Sequence, residues 1–288
     1  MKLGLSLPMF TADAARPLAA AARAAAAGYD GVFAPDHLFP PGAPDRPSLE
    51  PFTILAAVAT RHPGLSVGTL VTRASLRPAG LLAKQAASLD QLSGGRAILG
   101  LGAGDGVSKP EHERFGLPFP PAGERVEILE ETVVALRRLF DGEPWEGGRR
   151  VPAIAGPLLP PGRPALWIGG RSDAVLAAAA RSADAWNGWA MDAASFAAAA
   201  ERLGRLADGR VVAPTWGGIV LVGEDDADLD RLRAERQAKG LPMDLWNGAV
   251  GDFRSFVSAL EASGCAWIIV FPAGGEERIE LVGSVFPR

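Results

Sequence analysis

The chain has 288 residues, 48% of them hydrophobic and 22% charged, with a formal charge of −4. This is enough apolar material for a sizeable core, and α/β barrels of this length commonly form one domain, so residues 1–288 are read as a single domain. The charge gives no global field for holding nucleic acid, and no run of about 18 uninterrupted apolar residues offers a membrane-spanning helix. A single cysteine, Cys265, leaves no intramolecular disulfide and suits a reducing cytoplasm; a buried, inert thiol is its plainest reading.

Strand and helix alternate along the chain. The opening "LGLSLP" (3–8) reads as a first strand rather than a signal peptide. An alanine-rich helix over about 13–27 follows, ended by Gly28. "GVFAP" (31–35) is strand two and runs into Asp36 and His37. A proline-rich loop over 38–50 comes next, then a helix over 51–61, strand three over 65–72 and a helix over 78–92.

Strand four lies in "GGRAILGLGAGD" (94–105), whose unbroken apolar run predicts burial on both faces, as in a parallel sheet. Gly100, Gly102 and Gly104 thin its carboxyl end, as a cofactor floor would require, and Asp105 stands just beyond. A second irregular insertion spans 106–122. The helix after it carries Val126, Leu129, Val133, Leu136 and Phe140 on one face.

Residues 142–164 read as loop or short hairpin. Strands five, six, seven and eight fall in 165–170, 184–190, 211–223 and 267–272, with charged helix 225–238, helix 252–262 and a terminal helix beside them. Eight strands interleaved with helices predict a (β/α)8 TIM barrel with irregular loop insertions at its C-terminal mouth. Loops 38–50, 106–122 and 191–210 are expected to shape the substrate site.

In such a barrel catalytic groups gather at the carboxyl ends of the strands. His37 follows strand two directly and is either a mouth acid/base group or a histidine bonded to loop backbone. His62 is expected to cap a helix, and His112, within "KPEHER", to be solvated. With one cysteine and three scattered histidines there is no metal-ligand spacing, so no metal site is expected.

"IGGRSD" (168–173) places Gly169, Gly170 and Arg171 before a helix, where free backbone N–H groups and a guanidinium suit a phosphoryl group; Ser172 or Asp173 equally suit ordinary N-caps. Thr69 and Thr72 could meet a polar ring edge or simply pack. Asp105 is either a turn residue or a mouth carboxylate. Neither a Walker loop, a dinucleotide fingerprint nor a nucleophile elbow is present.

"GYDGVFAPDHL" (28–38), "VGTLVT" (67–72), "LDQLSGGRAILGLGAGD" (89–105), "ERFG" (113–116), "IGG" (168–170) and "SADAWN" (182–187) together resemble the luciferase-like flavin and deazaflavin oxidoreductases. Within them the chain resembles the branch using coenzyme F420. The likeness covers most of residues 1–190. It implies a deazaflavin in the mouth, with phosphate near Gly169, Gly170 and Arg171.

His37 would stand near the reacting carbon with Asp36 beside it, and Thr72 would meet the ring edge. Gly102 and Gly104 would lie under the cofactor, and Asp105 takes the position where some relatives carry an acidic proton donor. The resemblance also implies a bulge with a cis peptide at Leu70–Val71 behind the ring. The implied activity is hydride transfer between F420 and a small organic substrate by a cytoplasmic homodimer, without nucleic-acid or membrane partners. An FMN-dependent monooxygenase, or a non-catalytic flavin-binding barrel, is the alternative.

Overall fold

A computed structural model of the chain describes residues 1–286. Eight parallel strands close into a barrel: β1 (Lys2–Ser6), β2 (Gly31–Ala34), β3 (Ser66–Arg73), β4 (Ala97–Gly102), β5 (Ala165–Gly169), β6 (Ala185–Trp189), β7 (Ala213–Gly223) and β9 (Trp267–Pro272), with β9 pairing back to β1. This is the (β/α)8 barrel expected from the alternation of elements.

The helices follow in the same order. They are α1 (Ala15–Ala26), α2 (Pro51–Arg61), α3 (Ala79–Ser93), α4 (Lys109–Arg114), α5 (Ala122–Phe140), α6 (Asp173–Ser182), α7 (Ala193–Ala207), α8 (Asp226–Ala238), α9 (Val250–Ala262) and α10 (Arg278–Gly283). Alanines at 20, 21 and 24 in α1 and at 178–180 in α6 are buried, which lets these helices lie close to the wall.

The barrel interior is filled by aromatic side chains. Phe33, Trp167 and Trp267 meet pairwise with ring centroids 5.4–5.8 Å apart, joined by Leu70, Ile98, Ala185 and Ile269. Such ring pairs add to area burial through edge-to-face contact. Their bulk is accommodated by missing side chains on facing strands: a Cβ at Gly4 would stand 2.7 Å from Phe33, and one at Gly31 3.1 Å from Trp267.

Three expectations change. The segment 191–210 is not a substrate-shaping loop but mostly α7, capped by Asp192 and anchored by buried Phe196, which stacks on Trp186 at 5.9 Å. The insertion 106–122 is irregular only in part. It contains a short 3-10 turn (Gly106–Ser108) and α4, because Pro110 sits at a helix start where its missing N–H is harmless.

A ninth parallel strand, β8 (Trp246–Ala249), pairs with Val220–Gly223 at the overhanging end of β7, outside the barrel. Four residues including Asn and Gly carry almost no strand signal in the sequence. The charged helix α8 covers that overhang, with Leu229 and Leu232 packed on Leu221 and Ala273.

Candidate functional site

The candidate site residues Asp36, His37, Leu70, Val71, Thr72, Gly102, Gly104, Asp105, Gly169, Gly170 and Arg171 lie at or near the carboxyl ends of β2 to β5. The first structural fact there is a bulge in β3. Thr69 pairs with Leu99 and Thr72 with Leu101, so β3 spends one residue more than β4 between the two pairings, and the Leu70–Val71 peptide is cis. The expected irregularity is present. Thr69 bridges the gap with its own hydroxyl, which donates to the Gly100 carbonyl at 2.9 Å and accepts from the Gly100 N–H at 3.1 Å.

The bulge explains the glycines of β4 differently from the sequence reading. A Cβ at Gly100 would lie 2.2 Å from the Thr69 carbonyl oxygen, and one at Gly102 2.7 Å from Val71 Cγ2. At Gly169 on β5 it would lie 2.8 Å from Val71 Cγ1, and at Gly104 (φ +73°) 3.2 Å from the Arg73 stem. What approaches these glycines is β3 itself. Gly102 and Gly104 therefore do not form a bare floor: Val71, half-buried, covers Gly102 and Gly169.

Asp36 and Thr72 also differ from expectation. Thr72 is fully buried, and its hydroxyl donates to Asp36 rather than standing free at the mouth. Asp36 in turn holds Arg77 in a two-pronged pair, and Arg77 reaches on to Glu50 at 3.0 Å. Burial alone would lower the Arg77 pKa, but the charge and hydrogen bonds of Asp36 and Glu50 outweigh it and hold it up. This cluster braces the wall.

His37 has a partner the sequence did not reveal. Its Nδ1 lies 2.7 Å from Glu111 Oε1, a carboxylate with no exposed surface on α4. The same oxygen accepts from Arg73 Nη1 at 3.0 Å, while Oε2 accepts from Arg73 Nη2 at 2.9 Å and from the Leu38 N–H at 2.7 Å. Burial pushes the Glu111 carboxyl up, but the hydrogen bonds from His37 and Arg73 prevail and bring it down to about 2.

Glu111 is thus an anion that only accepts, so Nδ1 must carry a proton, and Nε2 is the nitrogen left for chemistry. Nε2 makes no hydrogen bond to protein among the described residues. The ring keeps partial exposure, 29% of its side chain, with the Phe10 ring edge 5.9 Å away.

The second insertion is locked in place around this contact. His112 is buried rather than solvated, because its Nδ1 donates to the Pro118 carbonyl at 2.8 Å and its ring meets Phe119; burial lowers its pKa. Arg125 of α5 donates to Ala103, Gly104 and Pro120 carbonyls, tying β4 to the insertion. Arg114 reaches the Pro44 carbonyl and Asp45, so the two insertions touch. His62 stands at the C-cap of α2.

Asp105 is exposed and accepts from the Val107 N–H at 3.1 Å and from Ser108 Oγ, as the N-cap of the 3-10 turn. At the β5–α6 turn Ser172 caps the helix through the Val175 N–H, and the exposed Arg171 makes no ion pair among the described residues. Gly170 has φ +149°, and a Cβ there would lie 2.9 Å from Val175. Among the described residues no group of three His, Cys, Asp or Glu gathers as a metal site would require. Cys265 is buried, its thiol pushed up to about 12 by burial.

The closed parallel barrel, the cis-peptide bulge in its third strand, the histidine at the end of the second and the glycine pair after the fifth are together the features the resemblance to the luciferase-like oxidoreductases implied. The family model of the luciferase-like monooxygenases matches residues 1–261, and the chain belongs to that family. It is 31% identical over 201 residues to a phthiodiolone/phenolphthiodiolone dimycocerosates ketoreductase of Mycobacterium sp., covering 63% of this chain and 50% of that one. The chain spans half to two thirds of the length of the curated relatives it matches first.

Among solved structures, an F420-dependent secondary alcohol dehydrogenase holding an F420–acetone adduct superposes with a TM-score of 0.84 at 17% identity, over 99% of this chain and 98% of that one. The EDTA monooxygenase of Chelativorans sp. superposes with a TM-score of 0.82 at 17% identity, over 100% and 95%. At these identities the superpositions establish the fold.

Proposed function

We propose that this chain is an F420-dependent oxidoreductase that interconverts a small alcohol and its carbonyl compound. The observation that carries this reading is His37, whose Nδ1 is tied to a buried carboxylate while Nε2 is left free at the barrel mouth. A ketoreductase among the relatives and an F420-dependent alcohol dehydrogenase among the fold neighbours support the choice of chemistry.

A ring system with a phosphorylated tail is the cofactor this reading places at the mouth. Val71 offers an apolar support over Gly102 and Gly169, and Arg171 and the start of α6 lie at the end of β5 with no carboxylate on the guanidinium. Such a deazaflavin, when bound, supplies hydride acceptance or donation. The protein does the rest: Val71 supports, Arg171 and the Gly169–Gly170 turn hold the anionic tail, and His37 Nε2 takes the proton from the alcohol oxygen, or returns it to the carbonyl oxygen. Asp105, engaged in its turn, is the candidate for a second proton carrier. A cytoplasmic homodimer belongs to the same reading: Leu81 and Leu92 of α3, with the adjacent Leu159, are 50–65% exposed and give an apolar face for a second copy.

The experiment is a binding titration of the purified protein against F420 and FMN, followed by turnover of secondary alcohols and ketones. F420 binds at micromolar protein, and His37→Ala loses about 10²–10⁴ in kcat while cofactor affinity changes far less. Binding of FMN alone transfers the chain to the monooxygenases and removes this role from His37.

A further inference from the structure

The site already holds a carboxylate and a guanidinium that touch nothing outside the protein. We propose that Glu111 and Arg73 are positioning residues acting as one unit on His37: Glu111 fixes the proton on Nδ1, and Arg73 cancels the carboxylate's charge so that Nε2 can release and regain a proton. This rests on the reading of His37 given above but can be examined without it.

The argument is geometric. One oxygen, Glu111 Oε1, receives both His37 Nδ1 at 2.7 Å and Arg73 Nη1 at 3.0 Å. The Glu111 carboxylate is fully buried and Arg73 is 3% exposed, so solvent screens neither charge well. A lone buried carboxylate beside an imidazole favours the imidazolium, whose Nε2 has no lone pair left to accept a proton. A carboxylate already matched by a guanidinium presents a hydrogen-bond acceptor with little net charge. The tautomer is fixed, and the proton on Nε2 stays exchangeable.

Among the described residues no other charged group takes over this role. Asp36, next to His37 in the chain, is paired with Arg77 and Thr72. Arg114, one turn further along α4, is occupied by Pro44 and Asp45, and His112 is turned to Pro118. Glu50 answers Arg77. The Phe10 edge beside His37 is uncharged.

The readout is ¹⁵N NMR of the histidine side chains in cofactor-free protein, where the three histidines are assigned with His37→Gln. In the wild type the neutral His37 ring carries its proton on Nδ1; a neutral ring protonated on Nε2 overturns the proposal without any variant. Arg73→Met shifts the His37 titration to higher pH by about 1–2 units, since a buried positive charge that disfavours the imidazolium is removed. Glu111→Gln lowers the pKa and frees the tautomer.

The double variant returns the pKa towards the wild-type value but leaves the tautomer free, and Arg73→Lys keeps the charge and most of the wild-type pKa. Shifts of the same sign in the two single variants, or none, refute the coupling, since a purely structural role has no reason to produce opposite signs that cancel. If Arg73→Met does not fold, the wild-type tautomer and Glu111→Gln decide the matter. Because no cofactor is present, a failed F420 assignment would leave these outcomes unchanged, and a failed coupling would leave F420 binding unchanged.

Discussion

If the glycines of β4 exist to receive the β3 bulge, adding a methyl group at Gly102 harms the protein even before any cofactor is considered. The new Cβ would lie 2.7 Å from Val71 Cγ2, with the Gly169 carbonyl oxygen at 3.5 Å and Val71 Cβ at 3.7 Å. Overpacking of this kind costs about 1–3 kcal/mol. Val71→Ala alone removes two methyl groups from a half-buried site and costs about 1 kcal/mol.

In the double variant the close contact is gone and only ordinary distances remain. The pair is therefore less destabilised than the sum of the singles by about 1–3 kcal/mol, roughly 2–5 °C in Tm. Gly100→Ala is the control. Its Cβ would lie 2.2 Å from the Thr69 carbonyl, which is backbone and cannot turn aside, so Val71→Ala does not rescue it. Thermal melts of the cofactor-free proteins by circular dichroism decide the question. Additivity within about 0.5 kcal/mol refutes the reasoning, and a Gly102→Ala protein that melts like the wild type but binds cofactor poorly restores the bare-floor reading.

Two further outcomes follow from the site. Glu111 has its pKa depressed from 4.5 to about 2 in the fold, so its contribution is fully present above pH 4.5 and is lost as pH falls towards 2. That contribution is about 3 kcal/mol by linkage, of which about 2 kcal/mol is gone at pH 3; the Tm gap between wild type and Glu111→Gln should narrow over this range, and a constant gap counts against the assignment. Arg171→Ala removes an exposed, unpaired guanidinium. It should weaken cofactor binding about 10–100-fold with Tm unchanged, whereas unchanged affinity moves the anionic tail away from the β5–α6 turn. Gly170 is no clean probe of that turn, since φ +149° and the nearby Val175 make any side chain there strained.

The barrel was legible because its signals are local. Apolar runs, glycine helix stops and alanine-rich helices each act over a few residues, and eight of the nine strands follow from them. The segment 191–210 was misread because its interruptions look loop-like, while its helix is fixed by Asp192 capping and by Phe196 stacking on a tryptophan. The position of His37 was legible from the end of strand two. Its partner was not: Glu111 lies 74 residues further on, in a charged stretch that reads as solvated, and only the closed barrel brings it beside His37 and Arg73. The glycines of β4 show a subtler failure. Their spacing correctly announced a close approach, but a sequence does not say whether the approaching group is a ligand or another strand.

The division of labour between barrel and insertion constrains how the site can open. His37 and Arg73 belong to the barrel strands or their ends, and Glu111 arrives on α4. Withdrawing α4 would take the carboxylate from a buried guanidinium and from the Leu38 N–H at the same time. A guanidinium left buried without its carboxylate costs about 3–5 kcal/mol, so α4 cannot withdraw unless water reaches Arg73 at the same time. The apolar residues of the insertion do not hold it down: Val107 and Phe115 are 59% and 55% exposed. Its closed position therefore rests on polar contacts: the ion pair beside His37, the Arg125 bonds to Ala103, Gly104 and Pro120, and the Arg114 contacts with Pro44 and Asp45. An insertion held in this way serves as a wall of the site rather than a gate.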